Sequence, residues 1–366
     1  MTPPRVLNTY RDHPSKLLLA ACEAGLVDYL TPPESNLSTQ QITKWMLDNL
    51  PGAAAVLIGP LNVPQFGSTE LDIAGPQFKA VSTFSVGYDH IDVSECKERG
   101  VKVGNTPNVG DDAVANLTML LLLMVMRRAS EHVELVRAGQ WPMYQSNIAC
   151  NPLFLNGQSV RNRTIGFFGM GRIAQKVVER ILPMGPGKIL YKTSRPCPFT
   201  IDAFPRLHIV SGTLYPAVDI QNEPDLLTLA EQSDVLICLT ALVPATRHSI
   251  NQEVLSHMKR HAILINVSRG PVVDTEALMD ALRSGQIFGA GLDVLEGEPN
   301  IVAGHPLLDE SVRHRVVLLP HCGSAEVDTR IEMADLHVRN ILLALDIPLS
   351  LCGFEGSIGD NRTAYL

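Results

Sequence analysis

The segment TIGFFGMGRIAQKVVERI, residues 164–181, runs from an apolar stretch through Gly169-Met170-Gly171-Arg172-Ile173-Ala174 into an amphipathic pattern. Glycines between a strand and a helix permit a tight turn and a close approach of backbone to a pyrophosphate, which the helix N-terminus then favours electrostatically. Such a turn gains meaning from the segments downstream of it. There, apolar runs alternate with helical patterns: KILYKTS, a helix near DLLTLAEQ, DVLICLTA, a helix in NQEVLSHMKRH, AILINVS, a helix in TEALMDALRSG, GAGLDVL and finally VVLLPH. Six parallel strands with helices between them predict a doubly wound dinucleotide-binding sheet.

Upstream, RVLNTY, a helix from about Ser15 to Tyr29, AAAVLIG, KAVSTFS and VKVGN form a separate βα series. After Pro107, Asp111 and Asp112 make an N-terminal cap and Gly139 a stop for one long helix. The expected class is therefore α/β with two domains: a Rossmann-type sheet and a flavodoxin-like substrate domain. The boundaries expected are 1–108 for the first part of the substrate domain, 109–322 for the dinucleotide domain, and 323–366 for a return to the first.

With 366 residues, 45% of them hydrophobic and 19% charged, the chain can bury a large core. A formal charge of −8 gives little support to nucleic-acid binding. An anionic substrate would need a local cation. Seven scattered cysteines without a C-x-x-C pair read as reduced thiols of a cytoplasmic protein, with no zinc site expected. LLLAAC is followed by Glu23 and no cleavage pattern, so it reads as a helix and not a signal peptide; LTMLLLLMVM is about half a membrane span and reads as a buried interface helix.

At the end of strand KILYK stand Thr193, Ser194 and Arg195, where an NAD site would carry an acid for the ribose diol. A guanidinium and hydroxyls suit a 2′-phosphate, so NADPH is expected, with NADH weaker. Arg269, Glu298 and His321 each follow a presumed strand, where ligands of open α/β sheets bind. In VVLLPHCGSA, His321 and Cys322 are adjacent, and extended backbone would point them to opposite faces. Only one of them is then expected to act.

The chain resembles the D-isomer-specific 2-hydroxyacid dehydrogenase family, most closely its glyoxylate and hydroxypyruvate reductases. The resemblance rests on FSVGYDHID, GMGRIA, PATRH, INVSRGPVVD, AGLDVLEGEP, HPLL and LLPHCGSA, in family order over nearly the whole chain. The intervals of 29 residues from Arg269 to Glu298 and 23 from Glu298 to His321 match the family's catalytic trio. It implies that His321 is the acid/base, that Glu298 holds its second ring nitrogen, and that Arg269 binds the substrate carboxylate. The amides of Val86 and Gly87 would take that carboxylate's other side, with Leu61 at an apolar entrance. Gly169, Met170, Gly171, Arg172 and Ile173 would hold the pyrophosphate. Ala241, Thr246, Val267, Ser268, Asp293 and Gly323 would line the nicotinamide side. Trp141 either reaches the neighbouring subunit's substrate pocket or packs in a dimer interface.

The implied function is NADPH-dependent reduction of a small 2-keto acid by a cytoplasmic homodimer, with neither nucleic acid nor membrane as partner. Alternatives are an NAD(H)-sensing module of the corepressor type, a reductase of bulkier 2-keto acids, and formate dehydrogenase, which has glutamine in place of Glu298. Asn116, where many relatives carry glutamate, and the loop LIGPLNVP depart from the family pattern.

Overall fold

The computed structural model describes residues 2–200, 204 and 218–352. It divides into two compact units: one holds the chain to Gly110 together with the chain from Ser324 onward, and the other runs from Asp111 to Gly323.

In the first unit, β1 (Arg5–Asn8), β2 (Asp28–Leu30), β3 (Ala55–Ile58), β4 (Ala80–Thr83) and β5 (Lys102–Gly104) form a parallel sheet in the order β2-β1-β3-β4-β5. This is the flavodoxin-like order. The central strands are buried on both faces, as continuous apolar runs such as AVLI require. The helix Val327–Ala344 packs on β3, β4 and β5. There Asn340 donates from Nδ2 to the carbonyl of Asn105 at 2.9 Å.

One strand was not expected. The predicted helix from Ser15 to Tyr29 ends at Glu23, because Gly25 turns the chain at φ +67°, and residues 28–30 pair with β1. Being a short edge strand without a buried residue, β2 offers no apolar run to read.

In the second unit, β6 (Thr164–Phe168), β7 (Lys188–Lys192), β8 (Asp219–Asn222), β9 (Val235–Cys238), β10 (Ile263–Asn266), β11 (Gly289–Leu292) and β12 (Val316–Leu318) lie in the order β12-β11-β10-β9-β6-β7-β8, all parallel. Helices cover both faces. Ile165, Phe167, Ile237 and Ile265 point into one layer, and Leu236, Cys238 and Leu264 into the other. Each fully buried aliphatic side chain contributes about 1.5–3 kcal/mol.

The sheet has seven strands where six were expected. The additional β8 is the polar sequence DIQN on an edge, alternately exposed and half-buried. The single helix expected from Asp111 to Gly139 is two, Asp111–Met126 and Ala129–Arg137, bent by 65°. Arg128 adopts φ +52° at the break and pairs through two hydrogen bonds with Glu131. No single described helix is long and apolar enough to cross a membrane.

Candidate active site

Gly169 follows β6 with φ +103°, and a Cβ there would lie 2.6 Å from the carbonyl oxygen of Leu239. Only glycine fits this turn. Its amide donates to the Lys192 carbonyl at 2.9 Å, which ties the turn to the end of β7. The helix Arg172–Ile181 begins at Gly171 without a side-chain cap, so its first amides are presented to an anion. These features fit a dinucleotide phosphate. Arg172 Nε donates to the buried Asp111 at 3.1 Å, which fixes the arginine at the mouth of the same turn.

Thr193, Ser194 and Arg195 form a turn after β7, closed by a bond from Thr193 Oγ1 to the Arg195 carbonyl. Ser194 and Arg195 are exposed. The carboxylates that follow the neighbouring strand β8 are committed elsewhere: Asp225 caps the helix Leu226–Gln232 and Glu223 accepts from the Asp225 amide. Lys192 reaches the Pro224 carbonyl at 2.6 Å.

The catalytic candidates come from three adjacent strands. Arg269 follows β10, Glu298 the loop after β11, and His321 the end of β12, so the sheet order β12-β11-β10 places their loops side by side. Nδ1 of His321 lies 2.8 Å from Oε1 of Glu298. Oε2 of Glu298 accepts from the Leu295 amide at 3.1 Å, so both carboxylate oxygens are engaged. Neither side chain is fully buried, which leaves the imidazole reachable.

His321 has φ +52°, a rare conformation for a non-glycine residue, held by its amide donating to the Asp293 carbonyl at 2.8 Å. β12 ends at Leu318, so His321 and Cys322 lie on a bend and not in the extended backbone expected of them. Strand alternation therefore does not separate them. The Asp293 carboxylate accepts from the Cys322 and Gly323 amides, each at 2.8 Å, and the His321 ring turns to Glu298. Burial pushes the Asp293 carboxyl above its ordinary range, against these bonds and the nearby His321.

Asn266, inside the motif INVSRGPVVD but not among the expected site residues, organises the Arg269 loop. Its Oδ1 accepts from the Ser268 amide and hydroxyl, and its Nδ2 donates to the Arg269 carbonyl at 3.0 Å. A buried asparagine ending the apolar run ILIN was the available signal. Val267 and Ser268 are buried beside it. Ala241 and Thr246 share the loop after β9, where Thr246 Oγ1 donates to the Ala241 carbonyl at 2.7 Å.

Val86, Gly87 and Leu61 belong to the first unit. The Val86 carbonyl accepts from Asn105 Nδ2 at 2.8 Å and the Gly87 carbonyl from Ser85 Oγ at 2.5 Å, which fixes the orientation of that loop's peptides. Leu61 is exposed on the loop after β3. Trp141 opens the helix Trp141–Cys150, which has no buried residue, and is 56% exposed. None of the seven cysteines is joined in a disulfide, and among the described residues no group of His, Cys, Asp or Glu could hold a metal ion.

Residues 119–323 match the model of the D-isomer specific 2-hydroxyacid dehydrogenase, NAD binding domain, family. The chain is 42% identical over 284 residues to the glyoxylate reductase of Thermofilum pendens, covering 77% of each. To the glyoxylate reductase/hydroxypyruvate reductase of Homo sapiens it is 38% identical over 275 residues, covering 75% of this chain and 76% of the relative. Its fold is similar to the crystal structure of the NADPH-dependent glyoxylate/hydroxypyruvate reductase of Sinorhizobium meliloti in complex with NADP and malonate, with TM-score 0.71 and 30% identity over 97% of this chain and 99% of that one. An uncapped helix after a glycine turn, beside a histidine-carboxylate pair and an arginine on adjacent strands, is what these matches lead one to find: the chain belongs to the D-isomer specific 2-hydroxyacid dehydrogenase family and is an NAD(P)-dependent oxidoreductase.

Proposed function

We propose that the chain reduces a small 2-keto acid of the glyoxylate and hydroxypyruvate class to the D-2-hydroxy acid, with NADPH as the hydride donor and His321 as the acid. The observation that carries this reading is the 2.8 Å pairing of His321 with Glu298 beside the Arg269 loop. A keto acid gains hydride at its carbonyl carbon and a proton at its oxygen, and imidazolium supplies the proton near neutral pH. Glu298 stabilises that imidazolium and keeps Nε2 directed away from itself. Arg269 holds the substrate carboxylate by its planar guanidinium. The relatives named glyoxylate reductase support the substrate class.

The exposed Arg195 turn, whose neighbouring acids Glu223 and Asp225 are engaged with the helix start after β8, supports NADPH, as does the NADPH-dependent relative from Sinorhizobium meliloti. The exposed apolar side chains of Val133, Val136, Trp141, Met143 and Leu153 support a homodimer built through this stretch. Cysteines kept as thiols support a cytoplasmic location. Initial rates with glyoxylate, hydroxypyruvate, pyruvate and phenylglyoxylate, each with NADPH and NADH, test the reading. Turnover of the first two with NADPH supports it. Preference for phenylglyoxylate would assign a bulkier substrate, and binding of dinucleotide without turnover a sensor.

A further inference from the structure

The dyad of His321 and Glu298 does not hold its own position. Glu298 sits in a loop whose Leu295 amide binds its Oε2 at 3.1 Å, so the orientation of that carboxylate follows the orientation of the Leu295–Glu296 backbone. Two things fix this backbone. Gly270, next to Arg269, lies so close that a Cβ on it would collide with the carbonyl of Leu295 and the amide nitrogen of Glu296. From another side the Glu296 carboxylate is gripped: Oε1 accepts from Arg247 Nη2 at 2.9 Å, and His248 Nε2 lies 2.9 Å from Oε1 and 3.0 Å from Oε2.

His248 is itself tied to the Arg269 loop. Its amide donates to the Pro271 carbonyl at 2.8 Å, and two residues later Ile250 donates to Val272 at 3.1 Å. His248 adopts φ +48° in doing so. One carboxylate thus joins the loop after β9, the loop that bears Arg269 and the loop that bears Glu298. The neighbouring backbones of Gly270 and Leu295 leave little slack between the last two.

We infer that Glu296, clasped by His248 and Arg247, is a positioning residue that sets the Glu298 carboxylate against His321. The clasp acts through Glu298 and touches neither hydride nor proton, and its role rests on the reading of His321 and Glu298 as the working dyad. It is not a stability device. Arg247 is 56% exposed and His248 39%, and exposed ion pairs add little to folding. A small displacement of a catalytic group, in contrast, is expensive in rate.

The test is a double-mutant cycle on the full-length enzyme with Glu296→Ala, Glu298→Gln and the pair, reading kcat, KM for glyoxylate, NADPH affinity by fluorescence and melting temperature. Glu296→Ala is expected to lower kcat about 10-fold through misplacement, with KM and NADPH affinity changed less than about two-fold and melting little altered. In the Glu298→Gln background the same change should cost almost nothing further, because the residue it positions is already disabled. Should Glu296→Ala fail to fold, His248→Asn, whose asparagine tolerates the positive φ, removes the other end of the clasp and is expected to reproduce the loss.

Full additivity of the two losses, or an unchanged kcat in the single variant, overturns the clasp. A Glu298→Gln enzyme as fast as wild type would instead overturn the dyad, and the clasp with it.

Discussion

Nδ1 of His321 and Oε1 of Glu298 stand 2.8 Å apart although 23 residues separate them, because β11 and β12 are parallel neighbours and end at the same edge of the sheet. On the proposed reading, the bond leaves Nε2 as the nitrogen that exchanges a proton with substrate. Glu298→Gln is expected to lower kcat in the reducing direction, since an amide cannot compensate the charge of the imidazolium, while NADPH affinity stays as in wild type. Stopped-flow rates and a fluorescence titration check the two halves separately.

Arg269→Lys should impair the enzyme although charge is retained, because an ammonium cannot make the two-pronged contact of a guanidinium with a carboxylate. The loss is expected in kcat/KM for glyoxylate. An unchanged value would mean that the substrate carboxylate is held by other residues.

Arg195→Ala is expected to weaken NADPH and spare NADH. A charge-assisted contact to phosphate is worth about 1.5–3 kcal/mol, or roughly 10- to 150-fold in affinity. Titrating both cofactors against both proteins decides it: equal losses would make the turn at Thr193 to Arg195 an ordinary solvated surface.

Gly169→Ala should fail at the cofactor. Its φ of +103° and the 2.6 Å approach to Leu239 leave no place for a methyl group, at a cost of about 1–3 kcal/mol for the backbone strain alone. The expected result is a lower melting temperature together with loss of dinucleotide binding. A variant that binds NADPH normally would show that the turn adapts.

Asp234 is a structural counterpart to Glu298. Burial pushes its carboxyl up, but the Thr164 amide, His261 and Lys259 outweigh burial and hold it below the ordinary range. A carboxyl lowered in the folded state stabilises the fold above its unfolded pKa and loses that contribution as pH falls through the folded one. Asp234→Asn should therefore cost about 1.5 kcal/mol near neutral pH, at the low end for charged hydrogen bonds because Lys259 and His261 are partly exposed. The gap from wild type should narrow below about pH 4. Denaturant melts at several pH values check the trend.

Much of the fold and of the candidate site was legible in the chain because buried parallel strands are continuous apolar runs, and the candidate residues lie beyond the ends of those runs. The glycine turn at 169–171 and the residues Arg269, Glu298 and His321 stand out in that way. What escaped lay at edges and in loops. DYL and DIQN are edge strands whose pairing is backbone alone, so no apolar pattern announces them. The break at Arg128 depends on a positive φ that arginine rarely adopts. Alternation along a strand was expected to set Cys322 apart from His321, but a bend at the strand's end removes it, and the segment is tied there by Asp293, which accepts from the Cys322 amide 29 positions away. Asn266 and Glu296 were invisible as organisers, because their partners are backbone groups and side chains of other loops.

The most direct test is the rate of NADPH oxidation by glyoxylate in wild type and His321→Ala at matched, saturating cofactor. Wild type is expected to turn over, and the variant to lose about 10²- to 10⁴-fold in kcat with NADPH affinity intact, the range for a missing general acid. A variant that reduces glyoxylate at the wild-type rate would contradict the assignment of His321 as the proton donor, and with it the chemistry proposed for this site.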